Sequence, residues 1–233
     1  MERWAIYIDI EGFGATYEKQ GLYSLRTLME GIYLIGNKWC SDTPERIFAH
    51  QIGDGFIIVG EFGRDSLEIP IIIAIALMQQ VIFSDGAAKA VIAEGDLADI
   101  QGCFPKCIRD ECKGDSWVRL GRGLMTTFPV MGTALIRAVS LAKASPAGSL
   151  LLMEETLRSR IPPEIHTLPT EVADILSIDW IHTRPKSLEQ IQQISGLPRL
   201  GANALECKLK EYIKNNDLEK DWQDNTLRLL NIK

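Results

Sequence analysis

Two carboxylates hold the most chemical promise in this 233-residue sequence. The run Trp4-Ala5-Ile6-Tyr7-Ile8-Asp9-Ile10 has the pattern of a buried strand ending in Asp9, and Glu11-Gly12-Phe13-Gly14 follows at once. Farther on, Ala49-His50-Gln51-Ile52-Gly53-Asp54-Gly55-Phe56-Ile57-Ile58-Val59-Gly60 sets two apolar runs about a Gly-Asp-Gly. Glycine supplies the positive φ of a tight turn, so this is a β-hairpin with Asp54 at its tip. A carboxylate at a strand end, a glycine turn, and a second carboxylate on a hairpin can gather oxygen ligands for Mg²⁺ or Mn²⁺ beside a phosphate. Plainer readings exist: Asp9 as a helix cap and Asp54 as an ordinary turn residue. Arg137 is the third candidate. Thr133, Arg137 and Ser140 fall at i, i+4 and i+7 and give an otherwise apolar helix one polar stripe. A surface ion pair is the usual fate of such an arginine.

The elements that must position these residues follow from periodicity. Residues 15 to 39 carry Leu22, Leu25, Leu28, Met29, Ile32, Ile35 and Trp39 at helical spacing, and the helix N-terminus faces the Glu11–Gly14 turn. Residues 66 to 83 read as a helix buried on nearly all sides, with Pro70 in its first turn. Residues 88 to 93 form a strand. Residues 97 to 120 are irregular with room for one short helix, and 120 to 128 form or lead into a strand. Pro129 opens a helix to about Ala144, a strand spans 149 to 153, and a short helix spans 154 to 158. The last strand is expected at 178 to 183. Beyond it, Ser187-Leu188-Glu189-Gln190 has the form of a capping box, and 201 to 215 form a charged helix with Leu205, Leu209 and Tyr212 on one side. The expected fold is α+β: a catalytic domain over residues 1–185 with a mixed sheet, then a C-terminal helical extension over 186–233.

Composition narrows the function classes. A net charge of −6 leaves no basic excess for a nucleic acid partner, whereas a small polyanion needs only a metal and a few local cations. The longest apolar run, Ile69 to Met78, is about half a membrane span. No signal-peptide pattern is visible, and five cysteines without a disulfide rhythm suit a reducing cytoplasm. Cys103, Cys107 and Cys112 lack the fourth ligand of a structural zinc site.

Taken together, Ile6 to Phe13, Ile52 to Phe56, Met131 to Ala142 with Arg137, and Pro146 to Leu152 with Glu155-Thr156 after it resemble the class III nucleotidyl (adenylate/guanylate) cyclase catalytic domain over roughly residues 3 to 160. The resemblance implies a ferredoxin-like β-α-β-β-α-β core and a head-to-tail homodimer with sites between the subunits. It implies that Asp9 and Asp54, with the carbonyl of Ile10, hold two Mn²⁺ or Mg²⁺ per site, and that Gly12, Phe13 and Gly14 cradle the triphosphate. Lys89 sits where the family often places a phosphate-touching arginine, and Arg137 of the partner would face the α-phosphate.

The departures point to the base. Where the family orients the ribose with Asn this chain has Thr133, and where adenylate cyclases read the purine with Lys and Asp it has His50 and Thr126. The Glu and Cys of guanylate cyclases are absent too. So altered, the chain looks most like the pyrimidine (uridylate/cytidylate) cyclases of Pycsar anti-phage defence. The implied product is cyclic UMP or CMP, with UTP favoured, read by a separate cyclic-nucleotide-binding effector. A purine cyclase with an unusual base pocket and a catalytically silent nucleotide-binding regulatory domain are the alternatives. Residues 52 to 56 do not match the hairpin of diguanylate cyclases. Plainer readings remain beside these: Lys89 snorkelling to the sheet edge, and His50 as a half-buried strand histidine.

Overall fold

The centre of the molecule is β1 (Glu2–Ile10), whose alternate residues serve two different layers. The computed structural model describes residues 2–12, 21–61, 66–112 and 116–230. Trp4, Ile6, Ile8 and Ile10 join the main core, while Ala5 and Tyr7 belong to a smaller cluster on the opposite face. That division is the period-2 alternation of a strand buried on both sides. β1 pairs antiparallel with β3 (Gly55–Glu61) on one side and with β4 (Ala88–Asp96) on the other, and β2 (Ile47–Ile52) pairs with β3.

The order β4-β1-β3-β2, with α1 (Leu22–Leu34) between β1 and β2 and α2 (Glu68–Phe83) between β3 and β4, is the ferredoxin-like β-α-β-β-α-β core. Three later strands extend the sheet beyond β4. β9 (Leu151–Glu154) runs parallel to β4, β11 (Ile175–Ile178) antiparallel to β9, and β10 (Thr167–Pro169) closes the edge. Two short ribbons stand apart: β5 (Ala98–Asp99) with β8 (Val130–Met131), and β6 (Trp117–Leu120) with β7 (Gly123–Thr126). A small helix, α3 (Lys106–Cys112), lies between β5 and β6.

One face of the sheet is covered by α1 and α2. Every residue of α2 from Pro70 to Ile82 is buried, which suits a helix with no polar stripe. Its far side is covered by α5 (Lys186–Ser195) and α6 (Ala202–Asn215), so Leu188, Ile191, Leu205 and Leu209 belong to the same core as Ile6 and Ile73. Gln79, buried within α2, is satisfied from both sides: its amide donates to the Trp180 carbonyl at 3.2 Å, and its carbonyl accepts from Gln192 at 2.8 Å. The last helix, α7 (Lys220–Leu230), docks Trp222, Thr226 and Leu229. On the opposite face α4 (Thr133–Ala144) lies across β4 and β1 through Ala134 and Ala138.

Several sequence expectations shift. The first helix is described from Leu22, the expected stretch 15 to 20 lying outside the described residues, and it passes into a π-helical turn at Ile35–Trp39. The strand expected at 178 to 183 is β11 at Ile175–Ile178. Asp179 ends it, because its carboxylate accepts the N–H groups of Ile181 and His182 and curls the chain into a turn. The capping box does not form: Pro185 is the N-cap and Ser187 lies inside the helix, its hydroxyl buried without a partner among the described residues. Residues 117 to 126 fold back at Gly121 (φ +61°) as their own hairpin rather than one strand. The helix expected from Pro129 starts at Thr133, after Val130 and Met131 have paired with β5. The short helix after β9 is a 3₁₀ segment over Glu155–Arg160.

Candidate active site

Asp9 is the penultimate residue of β1, with Gly55 directly opposite on β3 and Lys89 directly opposite on β4. Asp54 precedes Gly55 in the two-residue turn of the β2–β3 hairpin, where Gly53 has φ +63°. A glycine at the first turn position is the requirement of a type II′ hairpin, which carries Asp54 back beside the end of β1. Gly55 has a second reason to lack a side chain. A Cβ there would stand 2.8 Å from Asp9 Oδ1 and 2.8 Å from the Ile8 carbonyl, filling the space beside the carboxylate.

The electrostatics of Asp9 carry the mark of its neighbour Asp54. The Asp9 carboxyl is pushed up to about 6, first by burial and then by the Asp54 charge, while the Tyr7 hydroxyl and the Ile10 N–H hold back part of the rise. Tyr7 itself is pushed up to about 12 by burial and by Asp9 and Asp54. Asp9 Oδ1 is buried with no hydrogen-bond partner among the described residues. A buried, unpartnered carboxylate oxygen beside a second carboxylate is costly without a cation. The donor set fits Mg²⁺ or Mn²⁺, hard ions that take one or two carboxylates and complete their shell with phosphate and water oxygens. Among the described residues no third His, Cys, Asp or Glu joins the pair to make an all-protein cage. Beyond Asp9, Gly12 turns with φ +74°. Phe13 and Gly14 lie outside the described residues.

A second cluster gathers at the opposite end of β4. Arg137, exposed on α4, donates to the Glu94 carbonyl at 3.2 Å. The Glu94 carboxylate is ion-paired with Arg160. Thr133 accepts the Asp96 N–H at 2.8 Å, an approach that only a glycine at 95 permits, since a Cβ there would meet Thr133 Oγ1 at 2.4 Å. The stripe of Thr133, Arg137 and Ser140 is exposed as the helical spacing requires. Lys89 and Glu94 are five residues apart on one strand, about 17 Å at the usual rise. Asp9 and Arg137 of one chain therefore stand at opposite ends of the sheet.

The remaining candidates divide. Tyr7, Ile57 and His50 are in register across three strands, so His50 lies on the Asp9 face, two strands away. Its ring meets Phe128 edge to face at 4.8 Å, and burial lowers its pKa. It lines a cavity of about 300 Å³ with Arg3, Phe48, Asp99 and Pro129. Thr126 sits exposed at the end of β7 and is not part of that lining. Lys89 is near the acids but engaged: Nζ donates to the carbonyls of Ala142 at 3.0 Å and Ser145 at 3.3 Å, so it caps the C-terminus of α4. Burial lowers its pKa against the pull of Glu11 and Asp9. Sequence reasoning missed Phe128, Arg160 and Trp222. Phe128 alone had a local signal, as an aromatic two residues from Thr126.

No protein-family model matches the sequence, and no curated protein matches it. Among solved structures, a dimeric guanylyl cyclase domain of the RhoGC fusion protein from the aquatic fungus Blastocladiella emersonii is 15% identical, covering 76% of this chain and 92% of that one, with a TM-score of 0.49. The catalytic core of a rhodopsin-guanylyl cyclase with converted specificity, in complex with ATPalphaS, is 11% identical over 76% of this chain and 94% of that one, at TM-score 0.43. A bacterial light-regulated adenylyl cyclase is 11% identical over 84% of this chain and 58% of that one, at TM-score 0.45. The likeness lies in the path of the chain, and the case for a function rests on the side chains above.

Proposed function

We propose that the chain is one half of a metal-dependent nucleotidyl cyclase, converting a nucleoside triphosphate to its 3′,5′-cyclic nucleotide and pyrophosphate. The observation that carries this reading is the meeting of Asp9 and Asp54, one with a buried oxygen that lacks a partner, at the end of β1. A divalent cation bound there would neutralise triphosphate charge and lower the pKa of the ribose 3′-hydroxyl. Asp9 and Asp54 would orient that assembly, with the Ile10 carbonyl beside them. The Gly12 turn would lie along the phosphates, and the resemblance assigns Phe13 and Gly14 to the same cradle. As the 3′-hydroxyl gives its proton to solvent, its oxygen bonds to the α-phosphorus and pyrophosphate departs, charge builds on the α-phosphoryl oxygens. Arg137 of a second copy would donate to them, worth on the order of 10²–10³ in rate, and its Thr133 would face the ribose. A second copy enters the proposal because in one chain Arg137 rests on the Glu94 end of β4, whereas the acids lie at its Lys89 end.

The base reading is the finer part of the proposal. His50, edge-on to Phe128, lines the cavity on the Asp9 face, and the residues that read purines in the resembled cyclases are absent. We infer a pyrimidine triphosphate, UTP before CTP, and with it the second-messenger setting of phage defence that the resemblance carries. The test is incubation with ATP, GTP, CTP or UTP and Mn²⁺, with products identified by mass. A cyclic pyrimidine absent from Asp9→Ala and Asp54→Ala protein is the expected result. A cyclic purine would move the reading to a purine cyclase. Binding without turnover of any triphosphate would leave a silent regulatory domain.

A further inference from the structure

The C-terminal helices end on the candidate site, though the chemistry just described does not call on them. Trp222, 5% exposed on α7, donates its indole N–H to the Glu11 carboxylate. Tyr212, 7% exposed on α6, donates its hydroxyl to the Glu11 carbonyl at 3.3 Å. The same hydroxyl lies 3.6 Å from where a Cβ on Gly12 would stand, and the centroids of the two rings are 5.8 Å apart. Side chain and main chain of the residue two past Asp9 are thus each held by a helix, from 211 and 201 residues downstream.

α7 also grips the neighbouring strand ends. Thr226 accepts the Ser149 N–H at 3.0 Å, and Asn225 donates to the Ala147 carbonyl at 2.9 Å. The Ser149 hydroxyl in turn donates to the Ala88 carbonyl at 3.0 Å, and Ala88 is opposite Ile10 in the ladder. One helix therefore ties the end of β1 to the start of β4, the two strand ends that frame Asp9. Core packing alone asks only for apolar bulk at positions 212 and 222. A buried indole N–H and phenol that both find partners on one glycine-containing turn add direction to that bulk.

We propose that Trp222, seconded by Tyr212, is a positioning residue of the nucleotide site, fixing the Glu11–Gly12 turn relative to Asp9 and Asp54 so that the C-terminal helices form one wall of that site. The inference rests on the nucleotide reading above. A turn at positive φ that loses its tethers samples other conformations, and affinity falls with the fraction that remains competent. Loss of the indole N–H also frees a carboxylate beside a polyanion.

Trp222→Phe keeps a six-membered aromatic ring and removes the donor together with the fused five-membered ring. It is compared with the parent and with Arg228→Ala, on the same helix, which breaks an exposed ion pair to Glu171. The readouts are amide hydrogen exchange over residues 10–12, Mn²⁺–UTP binding followed by free-Mn²⁺ resonance, KM and kcat, and melting temperature. Trp222→Phe is expected to exchange faster over 10–12, to bind Mn²⁺–UTP about tenfold more weakly, and to raise KM more than it lowers kcat. Its melting temperature should fall by a few degrees with the transition still single and sharp, and Arg228→Ala should match the parent throughout. Parent-like exchange and affinity in Trp222→Phe, while the parent binds and turns over nucleotide, would overturn this inference alone. An equal loss in Arg228→Ala would also overturn it, by showing general docking of the helix. A parent protein that binds no Mn²⁺–nucleotide would remove the nucleotide reading and this inference together.

Discussion

At the scale of single residues, Asp9 does the most against its own stability. Its folded carboxyl titrates near 6 rather than 3.8, because burial and Asp54 both oppose ionisation. A raised folded pKa gives stability that is full below the unfolded value and is lost as pH rises through the folded one. The window is therefore about pH 4 to 6, and metal-free protein at pH 7 carries the whole penalty. Asp9→Asn stays neutral. It is expected to be more stable than the parent at pH 7 without metal, by about 1–2 kcal/mol after discounting for partial exposure, and no more stable at pH 4. Saturating Mn²⁺ should reverse the order at pH 7 by stabilising only the parent. Urea denaturation at the two pH values checks this. A metal-free variant less stable than its parent at pH 7 would mean that hydrogen bonding to the ionised form outweighs desolvation.

At the scale of elements, α2 decides how much of the chain is dispensable. It has no polar face, so both its sheet side and its outer side need cover. The outer cover includes Leu188, Ile191, Leu205 and Leu209, all fully buried. At about 2 kcal/mol for each, their loss is roughly 8 kcal/mol against a total stability of about 5–15. A chain ending at residue 185 is expected to be insoluble or to bind hydrophobic dyes, as soluble yield and dye fluorescence would report. A soluble, dye-silent product with a sharp melting transition would show that residues 1–185 hold their own core. The same contrast explains what was legible in the sequence. β1, the β2–β3 hairpin and α2 are written in local patterns: apolar runs, a Gly-Asp-Gly, an unbroken apolar helix. The end of β11 depended on Asp179 capturing two backbone N–H groups, and the start of α5 on Pro185 displacing Ser187 from the cap. Both are decided by competition among neighbours that spacing alone does not rank. The meeting of Asp9 and Asp54 was legible because each acid sits at a turn with its own signal. The bond from Trp222 to Glu11 was not, because nothing near either residue announces a partner 211 positions away.

At the scale of the whole molecule, the separation of the two clusters governs what one chain can do alone. Asp9 and Asp54 lie at the β1–β3 end of the sheet, and Arg137 rests on Glu94, about 17 Å away along β4. If activity needs both on one nucleotide, a two-fold pair of chains supplies two sites, each taking the acids from one copy and the arginine from the other. Exposed apolar side chains on α4 and just before it, Ile136 at 53% and Met131 at 52%, give such a pair surface to bury. Asp54→Ala and Arg137→Ala should each be inactive alone, the first for want of metal and the second for want of charge stabilisation. Mixed at equal concentration with free exchange, half of the pairs are heterodimers. In each heterodimer one site is doubly damaged and the other intact, so activity should return to about a quarter of the parent value. Product formation on titrating one variant into the other measures it. A mixture as inactive as its components, with exchange verified by mass or fluorescence, would mean that acids and arginine act within one chain or that Arg137 serves no nucleotide at all.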